Sequence, residues 1–125
     1  MPLKLTREQV EQIVASAYPK RPNLNGADLS GLDLSGVNLM GVDLVEANLS
    51  GADLSEVMLG GADLRRANLR GAILTGAGLV KADLCEADLR EADLNEAALR
   101  SAKYSAATQW PTGFDPIMTG AISED

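Results

Sequence analysis

From residue 24 onward a leucine falls at every fifth position: Leu24, Leu29, Leu34, Leu39, and on in steps of five to Leu99. Tyr104 takes the next slot, so sixteen of seventeen positions are leucine, and chance is not a serious reading. Two residues before each leucine sits a small or apolar residue, as in Ala27, Leu32, Val37, Val42 and Ala47, with alanine throughout after Val57. The residue between the two is usually Asp or Asn, as in Asp28, Asp33, Asn38 and Asp43, so the unit reads A-[DN]-L-x-x. A period of five fits neither an α-helix at 3.6 nor a flat strand at 2.0. A helix would smear the leucines around its circumference. Within one unit, however, Ala and Leu are one residue apart, the alternation of a strand with both pointing inward and Asp or Asn outward. The last two residues must then turn the chain. Glycine fills the second of them in Gly26, Gly31, Gly36, Gly41, Gly51, Gly61, Gly71 and Gly76. That suits a type II turn, whose second central residue needs a positive φ. Each unit is read as a short extended side followed by a corner.

This repeat covers about two thirds of the chain and resembles the pentapeptide repeat family, in its small cyanobacterial type. The resemblance implies an all-β fold, a right-handed quadrilateral β-helix with four pentapeptides per coil and the leucines stacked inside. About four coils then follow, a solenoid roughly 20 Å long at a strand spacing of ~4.8 Å.

The flanks differ in character. In residues 1–21, Thr6 and Gln9 have the spacing of a capping box, and Val10, Ile13, Val14 and Ala17 recur at helical spacing before Pro19 and Pro22. The pattern predicts an amphipathic helix over Arg7–Ala17, laid across the open top of the solenoid to shield its leucines and unpaired edges. The alternative is a helix that docks a partner. The β-helix is assigned to residues 22–106 and a C-terminal cap with a frayed tail to 107–125. Tyr104, Trp110 and Phe114 are three of the four aromatic residues and are read as a lid over the bottom. The run from Thr108 to Pro116 is similar to the ending of many cyanobacterial members of the family. Ile117 to Asp125 is expected to fray.

With four units per coil, residues twenty apart stack, and the outward positions become a map. One corner column runs Gly26, Glu46, Arg66, Glu86, with alternating charge. A second face stacks Arg70 on Arg90. A third carries Asp33, Asp53, Glu56, Asp93 and Glu96, with Ile73 interrupting its carboxylates. The fourth face carries no carboxylate, in a protein with eighteen. Met40, Met58 and Val80 are expected to be exposed there beside Lys81 and Arg100, and these five are the candidate protein-binding residues. An apolar strip ringed by charge often marks an interaction surface, and methionine suits one that adapts. The contact read there includes a second copy, the N-terminal helix or the tail, and the simpler reading is one bland face among four. The last coil concentrates acid in Asp83, Glu86, Asp88, Glu91, Asp93 and Glu96, a candidate surface for a basic partner. The simpler reading there is that Asp is the usual residue before Leu. Arg65, Arg66 and Arg70 form a basic cluster read as salt-bridged surface.

A net charge of −7 and a pI near 4.5 argue against direct nucleic-acid binding, which needs a basic face. They permit a nucleic-acid mimic. One cysteine and no histidine exclude a disulfide framework and a Cys/His metal site within the chain. No secretory signal or membrane span is read, so no membrane partner is expected and the cytoplasm is the expected location. No G-x-S-x-G, P-loop or G-x-G-x-x-G is present. The carboxylates lie outward on a convex surface, where pKa tuning is weak. Cys85 lies beside Glu86, where acidity disfavours a thiolate. No cofactor is expected and no enzyme. The expected function is a rigid protein–protein interaction module with an unidentified protein partner, as a monomer or weak homodimer. The alternative is a DNA mimic that binds a DNA-handling enzyme such as gyrase.

Overall fold

The computed structural model describes residues 3–125. Its regular elements are helix α1 (Arg7–Ala17), strand β1 (Lys103–Tyr104), a 3-10 turn (Pro116–Thr119) and strand β2 (Ile122–Ser123). Between α1 and β1 the chain forms a stack of single-residue parallel bridges rather than long strands, because each unit has only one short extended side before it turns. Every bridge inside the repeat joins residues twenty apart, in four ladders. The first runs Asn23, Asp43, Asp63, Asp83, Lys103, and the second Asp28, Asn48, Asn68, Asp88. The third runs Asp33, Asp53, Ile73, Asp93, and the fourth Asn38, Met58, Gly78, Ala98. The twenty-residue stacking implied by the family resemblance is therefore the register of the molecule.

One unit shows how the backbone is satisfied. Asp63 N–H donates to the Val42 carbonyl on one side of the stack (2.9 Å), and Leu64 N–H donates to the Asp83 carbonyl on the other (2.8 Å). Arg66 N–H reaches the Cys85 carbonyl (3.1 Å), and the turn closes through Ala67 N–H to the Leu64 carbonyl (3.0 Å). The second corner residue has a positive φ whether or not it is glycine. Glu46, Glu56, Arg66, Lys81, Glu86, Glu91, Glu96 and Ser101 sit at φ of 58–64°. Glycine thus marks only half of the corners. The stacked leucines and turn hydrogen bonds impose the left-handed conformation on the others, at a cost of about 1–2 kcal/mol each.

The Asp or Asn before each leucine has a local task. Its Oδ1 accepts from the N–H two residues on, at the first corner position, in eleven units. Examples are Asp53 to Ser55 (3.0 Å) and Asn68 to Arg70 (3.0 Å). These are Asx turns, which these side chains form readily. Where serine follows, its hydroxyl donates to the same oxygen, as Ser35 does to Asp33 (2.6 Å). Hydrogen bonds from the serine hydroxyl and amide hold the carboxyls of Asp28 and Asp33 below the usual carboxylate range. The guanidinium groups of Arg65 and Arg90 do the same for Asp63 and Asp88.

All sixteen leucines of the five-residue register are buried, together with the inward alanines from Ala47 to Ala92, Ala102, and Val37, Val42 and Val57. At the top, the expected capping box is present: Gln9 N–H donates to Thr6 Oγ1 (3.2 Å) and Thr6 N–H to Gln9 Oε1 (2.9 Å). Val10 is fully buried, and Leu5, Ile13 and Val14 pack partly buried against the same core. Lys4 bridges Asp28, so the segment before α1 adds a rung. Arg7 donates to the Asp33 and Ser35 carbonyls (3.3 and 3.1 Å), ending the top of the third ladder.

At the bottom, Trp110 stacks on Phe114 with centroids 5.1 Å apart and meets Tyr104 edge-on at 5.7 Å. Trp110 and Phe114 pack against the core, as the lid reading expects. The tail departs from expectation. Ile117 to Asp125 does not fray: Ile122 N–H donates to Ala102 (2.7 Å), Glu124 N–H to Tyr104 (2.8 Å), and Ser101 N–H to Gly120 (2.9 Å). β2 pairs parallel with β1 and supplies the rung that the decayed repeat no longer provides.

Three outcomes follow for stability. Leu64→Ala is expected to cost about 2–5 kcal/mol in denaturant unfolding, and Leu64→Asp to abolish the folded state by circular dichroism. Asp53→Ala is expected to lose about 0.5–1.5 kcal/mol while Asp53→Asn, which keeps the acceptor, stays near wild type. The lowered carboxyls of Asp28, Asp33, Asp63 and Asp88 bind protons more readily when unfolded. Their contribution is therefore complete above the unfolded carboxyl range near ~4 and is lost as pH falls through the lower folded values. A melting temperature that is level from pH 7 to about 5 and falls steadily below about 4 is the expected profile.

Candidate interaction surface

Outward positions acquire neighbours only through the ladders. On the fourth side, Met40 and Met58 are 55% and 45% exposed, while Val80 is half-buried. A Cβ placed on Gly60 would lie 3.6 Å from Met40 Cε and 3.7 Å from the Val80 carbonyl. The bare Gly60 rung is thus the floor on which Met40 rests. Lys81 and Arg100 are exposed, and neither forms an ion pair among the described residues. The five residues do share one side, with Met40 and Met58 as its projecting apolar groups.

Both ends of the chain border this side. Val14, Tyr18 and the segment 19–22 line an open groove of about 350 Å³ together with Asn38, Met40 and Gly41. At the other end Gly120 lies against Arg100, directly after the 3-10 turn. Tyr18, Ile117 and Met118 are 86%, 72% and 82% exposed. Sequence reasoning missed these three as surface candidates because they lie outside the repeat. The single signal for Ile117 and Met118 was an apolar pair in a segment read as frayed.

The acidic set behaves differently. Asp83, Asp88 and Asp93 each accept an Asx-turn hydrogen bond, so half of the set serves the corners. Four of the six carboxylates also have an arginine partner. These are Glu86 with Arg66 (3.0 Å), Asp88 with Arg90 (2.7 Å), Glu91 with Arg70 (2.8 Å) and Asp83 with Arg65 (4.0 Å). Asp93 and Glu96 are exposed without one among the described residues. The alternating column is realised, with Arg66 between Glu46 (3.4 Å) and Glu86. The expected stacking of Arg70 on Arg90 is relieved because each turns to its own carboxylate. Such exposed pairs contribute only ~0–1 kcal/mol each. The Arg65, Arg66 and Arg70 cluster is salt-bridged surface.

Cys85 is half-buried beside Arg65, Arg66 and Glu86. Burial first, then a hydrogen bond with Asp83 and its charge, push its thiol up to about 12. That environment disfavours the thiolate, the nucleophilic form of the side chain. No described helix is long and apolar enough to cross a membrane.

Comparison with known proteins agrees with this architecture. The family model for pentapeptide repeats matches in eight copies over residues 23–61, 47–80 and 62–103. No curated protein sequence matches. Among solved structures, the chain is similar to the pentapeptide repeat protein alr5209 from Nostoc Pcc 7120. The two are 34% identical with a TM-score of 0.89, over 99% of each chain. It is also similar to Rfr23, a pentapeptide repeat protein from the cyanobacterium Cyanothece 51142, at 42% identity and a TM-score of 0.71. That match covers 72% of this chain and 61% of Rfr23. QnrB1, a plasmid-mediated fluoroquinolone resistance protein, shares the fold at 17% identity and a TM-score of 0.56, over 82% of this chain and 58% of its own. With its five-residue unit matched from 23 to 103 and its fold shared with a pentapeptide repeat protein over 99% of each chain, the chain belongs to the pentapeptide repeat family.

Proposed function

We propose that this protein is a non-enzymatic interaction module that presents a rigid surface to a protein partner. Its body is a right-handed quadrilateral β-helix of about four coils, working in the cytoplasm as a monomer or weak homodimer. The observation that carries the reading is the fourth side, where Met40 and Met58 project from a hydrogen-bonded ladder and the exposed Lys81 and Arg100 have no ion pair among the described residues. Flexible side chains on a fixed backbone can mould to a partner without ordering a loop, which keeps the entropic cost of binding low. Lys81 and Arg100, free of carboxylates, add an electrostatic preference for an acidic rim on that partner. Most outward carboxylates are engaged in turns or ion pairs, and the interior is filled with leucine, which supports a non-enzymatic reading.

A DNA-mimic role is the second reading. The net charge of −7 and the fold shared with QnrB1 favour it. The pairing of Asp83, Glu86, Asp88 and Glu91 with arginines weighs against it, because a mimic needs an uninterrupted negative array.

Two measurements separate these readings. Wild-type protein used as bait in source lysate is expected to retain a partner that the Met40→Glu/Met58→Glu variant loses, while thermal unfolding of the two stays alike. Equal retention by both baits removes the fourth side from consideration. DNA gyrase supercoiling is expected to proceed unchanged at micromolar protein, and inhibition there would favour the mimic instead.

A further inference from the structure

Two of the four ladders continue beneath their last full repeat rung, and the other two stop. The first continues from Asp83 to Lys103, which β2 then pairs. The second passes from Asp88 to Gln109 in the cap. The fourth ends at Ala98, where Ser101 N–H finds the Gly120 carbonyl while Leu99 N–H and Ala97 C=O have no backbone partner among the described residues. The third stops at Asp93.

The groups left at that stop are specific. One rung higher, Ala72 C=O accepts from Asp93 N–H (3.0 Å), Leu74 N–H donates to Asp93 C=O (2.8 Å), and Gly76 N–H donates to Asn95 C=O (2.9 Å). Their equivalents on the last rung are Ala92 C=O, Leu94 N–H and Glu96 N–H, and none has a backbone partner among the described residues. Leu94 is only 9% exposed and Ala92 7%, so this edge belongs to the packed stack and not to a loose loop. An open groove of about 450 Å³ runs beside it, between Glu91, Ala92, Asp93, Leu94 and Asn95 on one wall and the segment 111–114 on the other.

An unpaired edge is a template for an added strand. We propose that the Ala92–Glu96 edge binds an extended basic peptide segment of another protein, in parallel register, with Arg or Lys opposite Asp93. The guest residue opposite Asp93 donates its N–H to Ala92 C=O and accepts from Leu94 N–H. The residue two further on accepts from Glu96 N–H. Charge selects the occupant. The guest side chain stacks on Asp93, and Glu96 lies at the neighbouring corner. Both carboxylates are exposed and without an ion pair. An acidic guest would place like charges one rung apart, which is destabilising. At a corner column of the stack, Arg66 already bridges the carboxylates of Glu46 and Glu86 above and below it. A small residue before the cation and an apolar one after it continue Ala92 and Leu94 toward Phe114. This edge is separate from the Met40 side and does not depend on its role.

The test is amide hydrogen exchange by NMR on the full chain, with millimolar acetyl-GARLSG-amide or its acidic counterpart acetyl-GADLSG-amide. The basic peptide is expected to slow exchange at Leu94 and Glu96 at least threefold, leaving Leu74 and Gly76 unchanged, and the acidic peptide to have little effect. In the Asp93→Lys/Glu96→Lys variant, used after circular dichroism shows it folded because Asp93 also accepts from Asn95 N–H, the preference is expected to reverse. Unchanged exchange with the basic peptide overturns the proposal, as does equal protection by both. Protection at Leu94 and Glu96 in the free protein that grows with protein concentration overturns it too, by naming a second copy as the occupant.

Discussion

The twenty-residue register is the constraint from which the rest of this structure follows. Each unit offers the backbone one short extended side, too short to be stable as an isolated strand. It persists because its amides are bonded to the units twenty residues before and after it. That pairing aligns the inward positions, and the aligned leucines close the interior. Hydrogen bonding and apolar burial are therefore one cooperative condition here. A unit removed from the stack would lose both together, as expected for a solenoid stabilised by nearest-neighbour contacts.

The corners show how far this condition overrides local preference. Eight non-glycine residues hold a positive φ because the leucines on either side leave no other path for the chain. The Asp or Asn before each leucine offsets part of that cost by bonding the first corner amide. An acidic column is thus a by-product of turn chemistry. Much of the protein's negative charge is accounted for before any partner is invoked, and the arginines at Arg65, Arg66, Arg70 and Arg90 neutralise part of it locally.

A solenoid has two ends and a lateral surface, and each poses a different problem. The top is closed by α1 and by Arg7 on the third ladder, and the bottom by Trp110, Phe114 and the returning tail. The tail's pairing of Ile122 with Lys103 was not legible in the sequence, because nothing in the run from Ile117 to Asp125 repeats the five-residue unit. Edge pairing requires only a backbone in the right place. The lateral surface was more legible. Once the register is known, the absence of carboxylates beside Leu39, Leu59, Leu79 and Leu99 places Met40 and Met58 together. The groove formed by Tyr18 and Pro22 depends on a chain segment that the repeat does not describe.

By itself the sequence determined the five-residue unit, its inward leucines, its corners and the capping box of α1, because each is a preference expressed within a few residues. The stacking of units twenty apart came from resemblance to a family, since a period of five is compatible with more than one number of sides. Only the tertiary structure decided the rest: which arginine meets which carboxylate, that Cys85 is sheltered, that the tail closes the first ladder, and that the third ends unpaired. These are relations between residues distant along the chain. The stack brings them together through hydrogen bonds that every residue type can make, and such bonds leave no mark on the sequence.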